Sequence, residues 1–335
     1  MIFRKMTIAA GAAALVLPLV AGTLPAGALT FKASHQFPGG KGDVRDEMVQ
    51  IIAREVAKAD VGLEIKVYPG ASLFKAKEQW NAMVKGQLDI TSFPLDYASG
   101  RHPKFGATLM PGLVRNHEHA KKLNNSAFMK EIKAEIESGG AMVLADAWLA
   151  GAFGSKKGCI VKPDDVKGMK LRSAGATFAQ MWKAAGASIV SMSSNEVYNA
   201  LQTGVVDATD TSAGSFVSFR LYEQLKCLTA PGANALWFMY EPVLISKRSF
   251  GKLNAAQQKA LLAASKTAEA FFAKAAAGLD EKLVAAYKKA GVEVIELSEA
   301  DFDAWRKVAQ QSSYKSFAEK VKGGKALIDK ALAVK

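Results

Sequence analysis

The chain has 335 residues, half of them hydrophobic, and a formal net charge of +13. Its length is enough for two domains of about 100–200 residues each, and its composition excludes a disordered or collagen-like chain. The lysines are spread along the predicted helices in the pattern of a solvated face, so the positive charge does not indicate a nucleic-acid partner.

The first 28 residues differ from the rest of the chain. Two basic residues come near the start, residues 8–20 are apolar, and Ala26-Gly27-Ala28 fits a small-residue cleavage site. This pattern predicts a secretory signal peptide and a mature chain, beginning at Leu29, that lies outside the cytoplasm. Neither this apolar run nor any later one is long enough to predict a membrane span.

Strands and helices alternate in the first half of the chain. The first strand, residues 29–34, ends in Ser34 and is followed by His35 and Gln36. Ser34 and His35 are candidate ligand contacts, because ligands bind at the carboxyl ends of strands in open α/β sheets. Further elements follow in the order helix, strand, helix and strand, over residues 43–59, 63–68 and 78–91. This order predicts a mainly parallel sheet flanked by helices.

The second half continues the α/β pattern. Residues 141–148 form a predicted strand ending in Trp148, and residues 237–246 form another that carries the chain back towards the first half. Asn254 can cap a helix that continues to about residue 290, with Gly278 as a candidate break. At 1.5 Å per residue this helix would be about 50 Å long, so we expect it to span both halves of the molecule.

One phrase occurs twice in the chain. Residues 78–91, EQWNAMVKGQLDIT, align with residues 196–209, EVYNALQTGVVDAT. Helix–glycine–strand units look alike in any α/β protein, and the alternative is two related lobes that each present one strand end to a shared cleft. The second copy begins at a capping box, Ser193 and Glu196. Its strand ends in three polar residues that would line the cleft, Asp210, Thr211 and Ser212.

Arg172 is the charged residue that the pattern singles out for binding. It ends a short strand just before Ser173-Ala174-Gly175. From there its guanidinium could form a two-pronged pair with a carboxylate. The alternative is a surface arginine in a solvated ion pair, which spacing alone favours.

Other chemistry has weaker support. Cys159 and Cys227 are an even pair in an exported chain and allow a disulfide, but sequence cannot show whether their Cα atoms lie close enough. His117 and His119 point in different directions on a helix and make a poor metal pair. The sequence contains neither a phosphate-binding glycine loop nor a Gly-x-Ser-x-Gly elbow, so we predict no cofactor and no metal.

Two segments resemble the signature of the solute-binding proteins of tripartite ATP-independent periplasmic (TRAP) transporters, of the dicarboxylate-binding type. They are residues 163–172, PDDVKGMKLR, and residues 195–207, NEVYNALQTGVVD. Tyr68-Pro69-Gly70 with Leu73, and Gly86 with Leu88-Asp89, are similar to the first-lobe signature. The resemblance extends in order from about residue 29 to the C-terminal helices.

The resemblance implies a periplasmic binding protein with two α/β lobes, a hinge and a helix that spans both lobes. Such a protein closes on an organic acid and delivers it to the small and large membrane subunits of a permease. We expect lobe I to contain residues 29–149 and about 238–277, and lobe II to contain residues 150–237 and about 278–335.

Three residues match ligand-site positions of the family. Arg172 matches the arginine that pairs with the ligand carboxylate, Thr211 matches an asparagine that touches the ligand, and Asp210 matches a glutamate. Two departures bear on the ligand: the Asn-Pro of many members is Thr211-Ser212 here, and Ala152 occupies the position of a second arginine. A second clamp on a dicarboxylate is therefore not expected.

Aromatic residues complete the predicted site. With a single arginine clamp, we expect a monocarboxylate that is aromatic or is a 2-oxo or 2-hydroxy acid, with its body packed against rings. Each aromatic residue taken singly is more typical of a core. The candidates are Phe93, Tyr97, Trp148, Phe153 and Trp237.

Two other classes of function remain open from sequence alone. An exported two-lobed enzyme acting on a small organic acid would need a general base or nucleophile with an orienting partner, and no such pair is visible. An adhesion or structural module would bind no small molecule.

Overall fold

The computed structural model describes residues 29–233 and 235–335. The predicted signal peptide and its cleavage site lie outside the described residues, as does residue 234. Within the part that is described, we find no helix with both the length and the apolar character needed to cross a membrane.

Twelve strands and thirteen α-helices form within the described residues. The strands are β1 (Leu29–Ser34), β2 (Leu63–Tyr68), β3 (Ile90–Ser92), β4 (Ala141–Ala145), β5 (Trp148–Ser155), β6 (Lys170–Ser173), β7 (Ser188–Ser191), β8 (Ala208–Ser212), β9 (Cys227–Ala230), β10 (Phe238–Tyr240), β11 (Val243–Ser246) and β12 (Glu293–Glu296). The helices are α1 (Val44–Lys58), α2 (Gln79–Val84), α3 (His117–Leu123), α4 (Ala127–Ser138), α5 (Ala176–Ala184), α6 (Val197–Gln202), α7 (Ala213–Ser218), α8 (Lys247–Phe250), α9 (Ala255–Ala277), α10 (Leu279–Lys289), α11 (Glu299–Ala309), α12 (Lys315–Lys320) and α13 (Gly324–Leu332).

The strands form two sheets, one in each lobe. The lobe I sheet has the order β2-β1-β3-β11-β4, and the lobe II sheet has the order β12-β9-β5-β8-β6-β7, with β10 paired to the start of β5. In each sheet one internal strand runs against its two neighbours, β11 in lobe I and β5 in lobe II. The remaining strands of those paths run parallel to one another. The predicted two-lobed α/β fold with mainly parallel sheets is confirmed.

The reversed strands are those that enter from the other lobe. Strand β5 begins three residues after β4 ends, and β11 follows β10 across Glu241 and Pro242. Residues 141–148 and 237–246, each predicted as one strand, are therefore divided where the chain crosses between the sheets.

The predicted long helix is interrupted at Gly278. Helix α9 is capped by Asn254 and ends at Ala277, Gly278 is its C-cap, and α10 begins at Leu279. Helix α9 packs on α1 and β4 of lobe I, whereas α10 packs on α7, β9 and β12 of lobe II. The helical segment does extend over both lobes, but as two helices.

The C-terminal helices correct the predicted lobe boundary. We expected residues 278–335 to belong to lobe II, but α12 and α13 return to lobe I. Phe317, Leu327 and Ile328 join the apolar core that contains Phe128 and Met129 of α4. Their buried faces could not be assigned to a lobe from sequence, because either core would accept them.

The two copies of the repeat occupy equivalent places in the two lobes. Gly86 and Gly204 both have positive φ, 76° and 74°, after the helix of each copy. The carboxylate of Asp89 accepts from the Lys32 N–H of the neighbouring strand at 2.8 Å, and that of Asp207 accepts from the Lys170 N–H at 3.0 Å. Each repeat therefore pins its own strand to the strand beside it, which supports two related lobes.

Cys159 and Cys227 form a disulfide, with their Cα atoms 5.0 Å apart. Cys227 begins β9, opposite Ser155 at the end of β5, and Cys159 lies in the turn after β5. Strand pairing brings the two thiols together, which sequence could not show. The bond closes a long loop that contains β6, β7 and β8 and so favours the folded lobe II.

Candidate functional site

Arg172 lies at the carboxyl end of β6, just before α5 begins. Its side chain is 1% exposed. Nε and Nη2 donate to the Met192 carbonyl at 3.0 and 2.9 Å, and Nη1 donates to the Asp210 carbonyl at 2.6 Å. These carbonyls hold the guanidinium at the end of the lobe II sheet. The alternative of a solvated surface arginine is wrong.

Tyr97 of lobe I brings three donors together on one oxygen. Its phenol oxygen accepts from Arg172 Nη2 at 3.2 Å, from the Ser194 N–H at 2.9 Å and from the Gln36 side-chain amide at 3.4 Å. Tyr97 and Gln36 belong to lobe I, whereas Arg172 and Ser194 belong to lobe II. The two lobes therefore meet at this oxygen.

Asp210 turns its carbonyl towards Arg172 and its side chain towards an aromatic cluster. The carboxylate accepts from the Ser173 hydroxyl and the Trp182 indole N–H, both at 2.7 Å, and from the Trp237 indole N–H at 3.3 Å. Burial raises the pKa of Asp210, and the nearby Arg172 charge, with Nη1 3.8 Å from the carboxylate, opposes that rise. Asp210 thus braces the strand end that holds Arg172.

Two predicted aromatic residues lie in the core of lobe II. Phe153 packs edge-on against Trp182 with ring centroids 4.7 Å apart, and Trp237 belongs to the same cluster. Both side chains are at most 3% exposed. Their rings stabilise the fold around Asp210, as expected for buried aromatic residues.

Phe93 and Trp148 belong to the apolar core of lobe I. Phe93 packs behind Tyr97 with ring centroids 6.0 Å apart. Trp148 donates from its indole N–H to Asn124 at 2.8 Å and lines a groove of about 580 Å³ together with residues of α3 and α9. Phe93 therefore supports Tyr97, and Trp148 belongs to a groove that does not contain Arg172.

Polar side chains gather at the carboxyl ends of the lobe I strands. Ser34 ends β1 and Ser92 ends β3, and Asp96 lies in the turn after β3. These side chains and Gln36 are buried. The hydroxyls of Ser34 and Ser92, the Gln36 Oε1 atom and both carboxyl oxygens of Asp96 have no hydrogen-bond partner among the described residues. Of these residues, Gln36 donates to Tyr97 from its side-chain amide, and Asp96 directly precedes Tyr97 in the chain.

His35 is engaged within lobe I. Its Nε2 atom lies 3.2 Å from the Asp46 carboxylate, and its ring stacks on Phe37 with centroids 5.6 Å apart. Burial opposes ionisation of Asp46, but the nearby His35 ring and the Gly40 N–H, which donates to the carboxylate at 3.0 Å, lower its pKa overall. His35 thus anchors the start of α1 to the end of β1.

Ser212 lies next to a second buried arginine, and Thr211 precedes Ser212 on β8. Arg45 of α1 donates from Nη1 to the Ser212 hydroxyl at 2.9 Å and to the Ser215 hydroxyl at 3.0 Å. Ser212 is also the N-cap of α7. Thr211 is 2% exposed and pairs with Ala152 on β5. Ser212 therefore connects the start of lobe II helix α7 to lobe I.

Lys77 is a residue at the cleft that sequence reasoning missed. Its ammonium donates to the Ser191 hydroxyl of lobe II at 2.9 Å and lies 5.4 Å from the centre of the Tyr97 ring. Burial lowers the pKa of Lys77, and the positive charge of Arg172 adds to this effect. The only signal in sequence was its position one residue before the first copy of the repeat.

Asp96 and Gln36 could have been found from their neighbours. Asp96 precedes Tyr97, and Gln36 follows His35, so both lie at strand ends that the pattern had already marked. Arg45 gave no such signal, because its partners other than Asp43 come from distant parts of the chain.

The fold and the site together define a class of protein. Two α/β lobes are joined by crossing strands, and a buried arginine at one strand end meets a tyrosine of the other lobe. This is the architecture of a binding protein whose lobes close around a small ligand. The chain belongs to the bacterial extracellular solute-binding protein family 7, the DctP family, whose model matches residues 47–320.

Individual relatives agree with the family. A solute-binding protein of Albidiferax ferrireducens is 39% identical over 91% of this chain and 93% of its own length. A solved TRAP periplasmic solute-binding protein from Rhodoferax ferrireducens, with bound malonate, is 39% identical and superposes with a TM-score of 0.86 over 90% of this chain and 96% of that chain. The C4-dicarboxylate-binding periplasmic protein DctP of Rhodobacter capsulatus is 29% identical over 89% of each chain.

The chain is therefore a periplasmic solute-binding protein of a TRAP transporter. It captures an organic acid and delivers it to the membrane permease subunits, and it is not an enzyme. The predictions of family, function, partner and location are confirmed.

Proposed function

We propose that the ligand is a small, polar organic acid whose carboxylate binds Arg172 in the cleft between the lobes. The observation that carries this proposal is the convergence of donors on the Tyr97 oxygen. A guanidinium, a backbone N–H and a side-chain amide from both lobes point at one acceptor. A carboxylate oxygen accepts the same set of donors, and more strongly, because it is charged.

The surroundings of Arg172 favour a polar ligand body. The groups near it from lobe I are the Tyr97 phenol, the Gln36 amide that donates to that phenol and the Asp96 carboxyl group. Phe153 and Trp237 are occupied in the core of lobe II, and Trp148 lies in another groove. These positions do not support the aromatic ligand body that we expected from sequence. The single arginine clamp and a 2-hydroxy or 2-oxo acid as ligand remain predictions.

The malonate-bound relative and the C4-dicarboxylate-binding relative also support a small acid. Malonate and C4-dicarboxylates differ from the sequence-based expectation by a second carboxylate. Lys77 is the cation that could face such a group, because it reaches the cleft from lobe I beside Tyr97. Dicarboxylates therefore belong in any ligand screen.

A thermal-shift screen tests the proposed ligand class. We expect short hydroxy, oxo and dicarboxylic acids to raise the melting temperature of the purified mature protein, because a ligand that binds only the folded state stabilises it. Titration calorimetry should then show one saturable site, and the acid should be recovered unchanged. Stabilisation by aromatic acids or sugar acids alone would contradict the proposal.

Closure of the lobes can be tested at Gly175, the N-cap of α5. A Cβ atom added there would lie 1.3 Å from Asp96 Oδ2 and 2.3 Å from its Cγ across the cleft. Gly175→Ala should weaken acid binding by about 5- to 150-fold, because overpacking costs about 1–3 kcal/mol and this clash exists only when the lobes are closed.

The double variant Gly175→Ala/Asp96→Ala is the matched control for that clash. It should bind like Asp96→Ala alone, because the obstructing carboxyl group is gone. Unchanged binding in Gly175→Ala would mean that the liganded protein does not bring these two residues together.

A further inference from the structure

Asp96 stands out among the groups at the cleft. It lies in the turn after β3 and is 1% exposed, yet neither of its carboxyl oxygens has a hydrogen-bond partner among the described residues. Burying a carboxyl group without hydrogen bonds costs several kcal/mol in an apolar site. Such a group is retained at a functional position when a ligand supplies the missing partner.

The carboxyl group of Asp96 is aimed across the cleft. It lies against the backbone of Gly175, and it fits only because that residue has no side chain. Arg172 is three residues before Gly175, and Tyr97, the next residue after Asp96, contacts the Arg172 guanidinium. Asp96 and the proposed carboxylate clamp therefore face the same part of the cleft from opposite lobes.

The charges facing Asp96 come from three elements. Burial raises the pKa of Asp96 to about 7, the charge of Lys77 opposes the rise, Asp210 adds to it and Arg172 opposes it. The Ser99 hydroxyl also lowers the pKa of Asp96, although it makes no hydrogen bond of normal geometry with the carboxyl group. Near neutral pH, a hydrogen-bond donor from a ligand would therefore favour the ionised form of this carboxyl group.

We infer that Asp96 accepts a hydrogen bond from a hydroxyl or N–H group of the ligand and is a specificity-determining residue of the site. The inference rests on the proposed function, in which Arg172 holds the ligand carboxylate. The ligand class is therefore a small acid with a donor near its carboxylate, such as a 2-hydroxy acid or a cyclic amide acid. Its oxo or lactone analogue lacks the donor and should bind less well.

A second carboxylate fits Asp96 poorly. It would bring another negative charge against a buried carboxyl group, and one of the two groups would have to take up a proton. A donor from the ligand requires no such protonation. The two cases therefore differ in their dependence on pH, which gives the inference a direct test.

The experiment compares matched acids that differ only in the donor. The probes are lactate and pyruvate, 2-hydroxyglutarate and 2-oxoglutarate, and pyroglutamate and its ring-oxygen analogue 5-oxotetrahydrofuran-2-carboxylate. For the pair that binds most tightly, we expect the donor-bearing acid to bind roughly ten- to a hundredfold more tightly, the range of a hydrogen bond to a charged group. Asp96→Ala should remove this preference, and Asp96→Asn should keep part of it.

Controls separate this inference from the proposed function. The control variant Ser99→Ala should keep the preference for the donor-bearing acid. Circular dichroism checks that each variant is folded. If Asp96→Ala is not folded, a reduced preference in Asp96→Asn tests the inference instead. Between pH 6 and 8 the donor-bearing acid should bind equally well or better as pH rises. Equal binding of both members of each pair, a preference that survives loss of Asp96, or a tenfold loss of affinity per pH unit would overturn the inference while leaving Arg172 as the clamp. Failure of every small acid to bind would instead overturn the proposed function.

Discussion

Arg45→Met should lower the free energy of unfolding by about 3–5 kcal/mol, because it leaves buried carboxylates without their cation. Arg45 is fully buried and donates to the Asp43 carboxylate from Nε at 2.9 Å and from Nη2 at 2.7 Å. Its Nη1 atom lies 3.1 Å from the Glu241 carboxylate, and its guanidinium lies 3.7 Å from the centre of the Phe37 ring. Glu241 belongs to the segment that joins β10 to β11.

The network joins lobe I, lobe II and the crossing strands at one point. Burial opposes the positive charge of Arg45, but the carboxylates of Asp43 and Glu241 raise its pKa overall. Burial raises the pKa of Glu241, against the effect of Arg45. The network is thus costly to bury and costly to break, so removing one member should have a large effect.

Urea unfolding followed by circular dichroism would measure the loss. The triple variant Arg45→Met/Asp43→Asn/Glu241→Gln should regain most of the stability, because no uncompensated charge remains. Arg54 provides a surface control, since its side chain is 52% exposed and its ion pair with Glu47 should contribute about 0–1 kcal/mol. If Arg45→Met were no more destabilising than Arg54→Met, the buried network would not stabilise the fold.

Local patterns were predictable, and contacts between distant segments were not. The repeat predicted the lobe symmetry because Gly86, Asp89 and their counterparts act within one helix–strand unit and its neighbouring strand. Arg45, by contrast, meets Ser212 and Glu241, which are 167 and 196 residues away in the chain. Helical periodicity cannot reveal such partners.

The ends of the strands were predictable from sequence, and the directions of the side chains there were not. Successive residues of a strand point to opposite faces, so Thr211 points away from Asp210 and Ser212. Even Asp210 and Ser212, which share a face, lie beside different elements. In the structure the Asp210 carboxylate faces the aromatic cluster, and the Ser212 hydroxyl faces Arg45. Sequence marked the end of the strand, but packing against α5 and α1 decided what each side chain contacts.

Aromatic residues were the least predictable part of the site. Trp148 and Trp237 both flank crossing strands, and sequence gave no way to tell a cleft wall from a core. Their indole N–H groups have separate partners, the half-buried Asn124 and the buried Asp210. A buried indole needs such a partner, and the position of that partner decides which way the ring faces.

Arg172→Ala should weaken binding of the preferred acid by a factor between roughly 30 and more than 1,000, because removing one partner of a buried charge pair costs about 2–5 kcal/mol. The Nη2 donor that reaches Tyr97 is the one that we propose the carboxylate shares. Isothermal titration calorimetry would measure the loss, and circular dichroism would check that lobe II is still folded without the bonds to Met192 and Asp210.

Arg172→Lys separates charge from geometry at the same position. Lysine keeps the positive charge but has no planar fork, so it cannot bind two carbonyl groups and a carboxylate at once. We expect an affinity between those of the wild type and Arg172→Ala, whereas Arg54→Ala on the surface should bind like the wild type. If Arg172→Ala remained folded and bound the acid normally, the carboxylate would have to be held elsewhere, and Lys77 would be the next cation to replace.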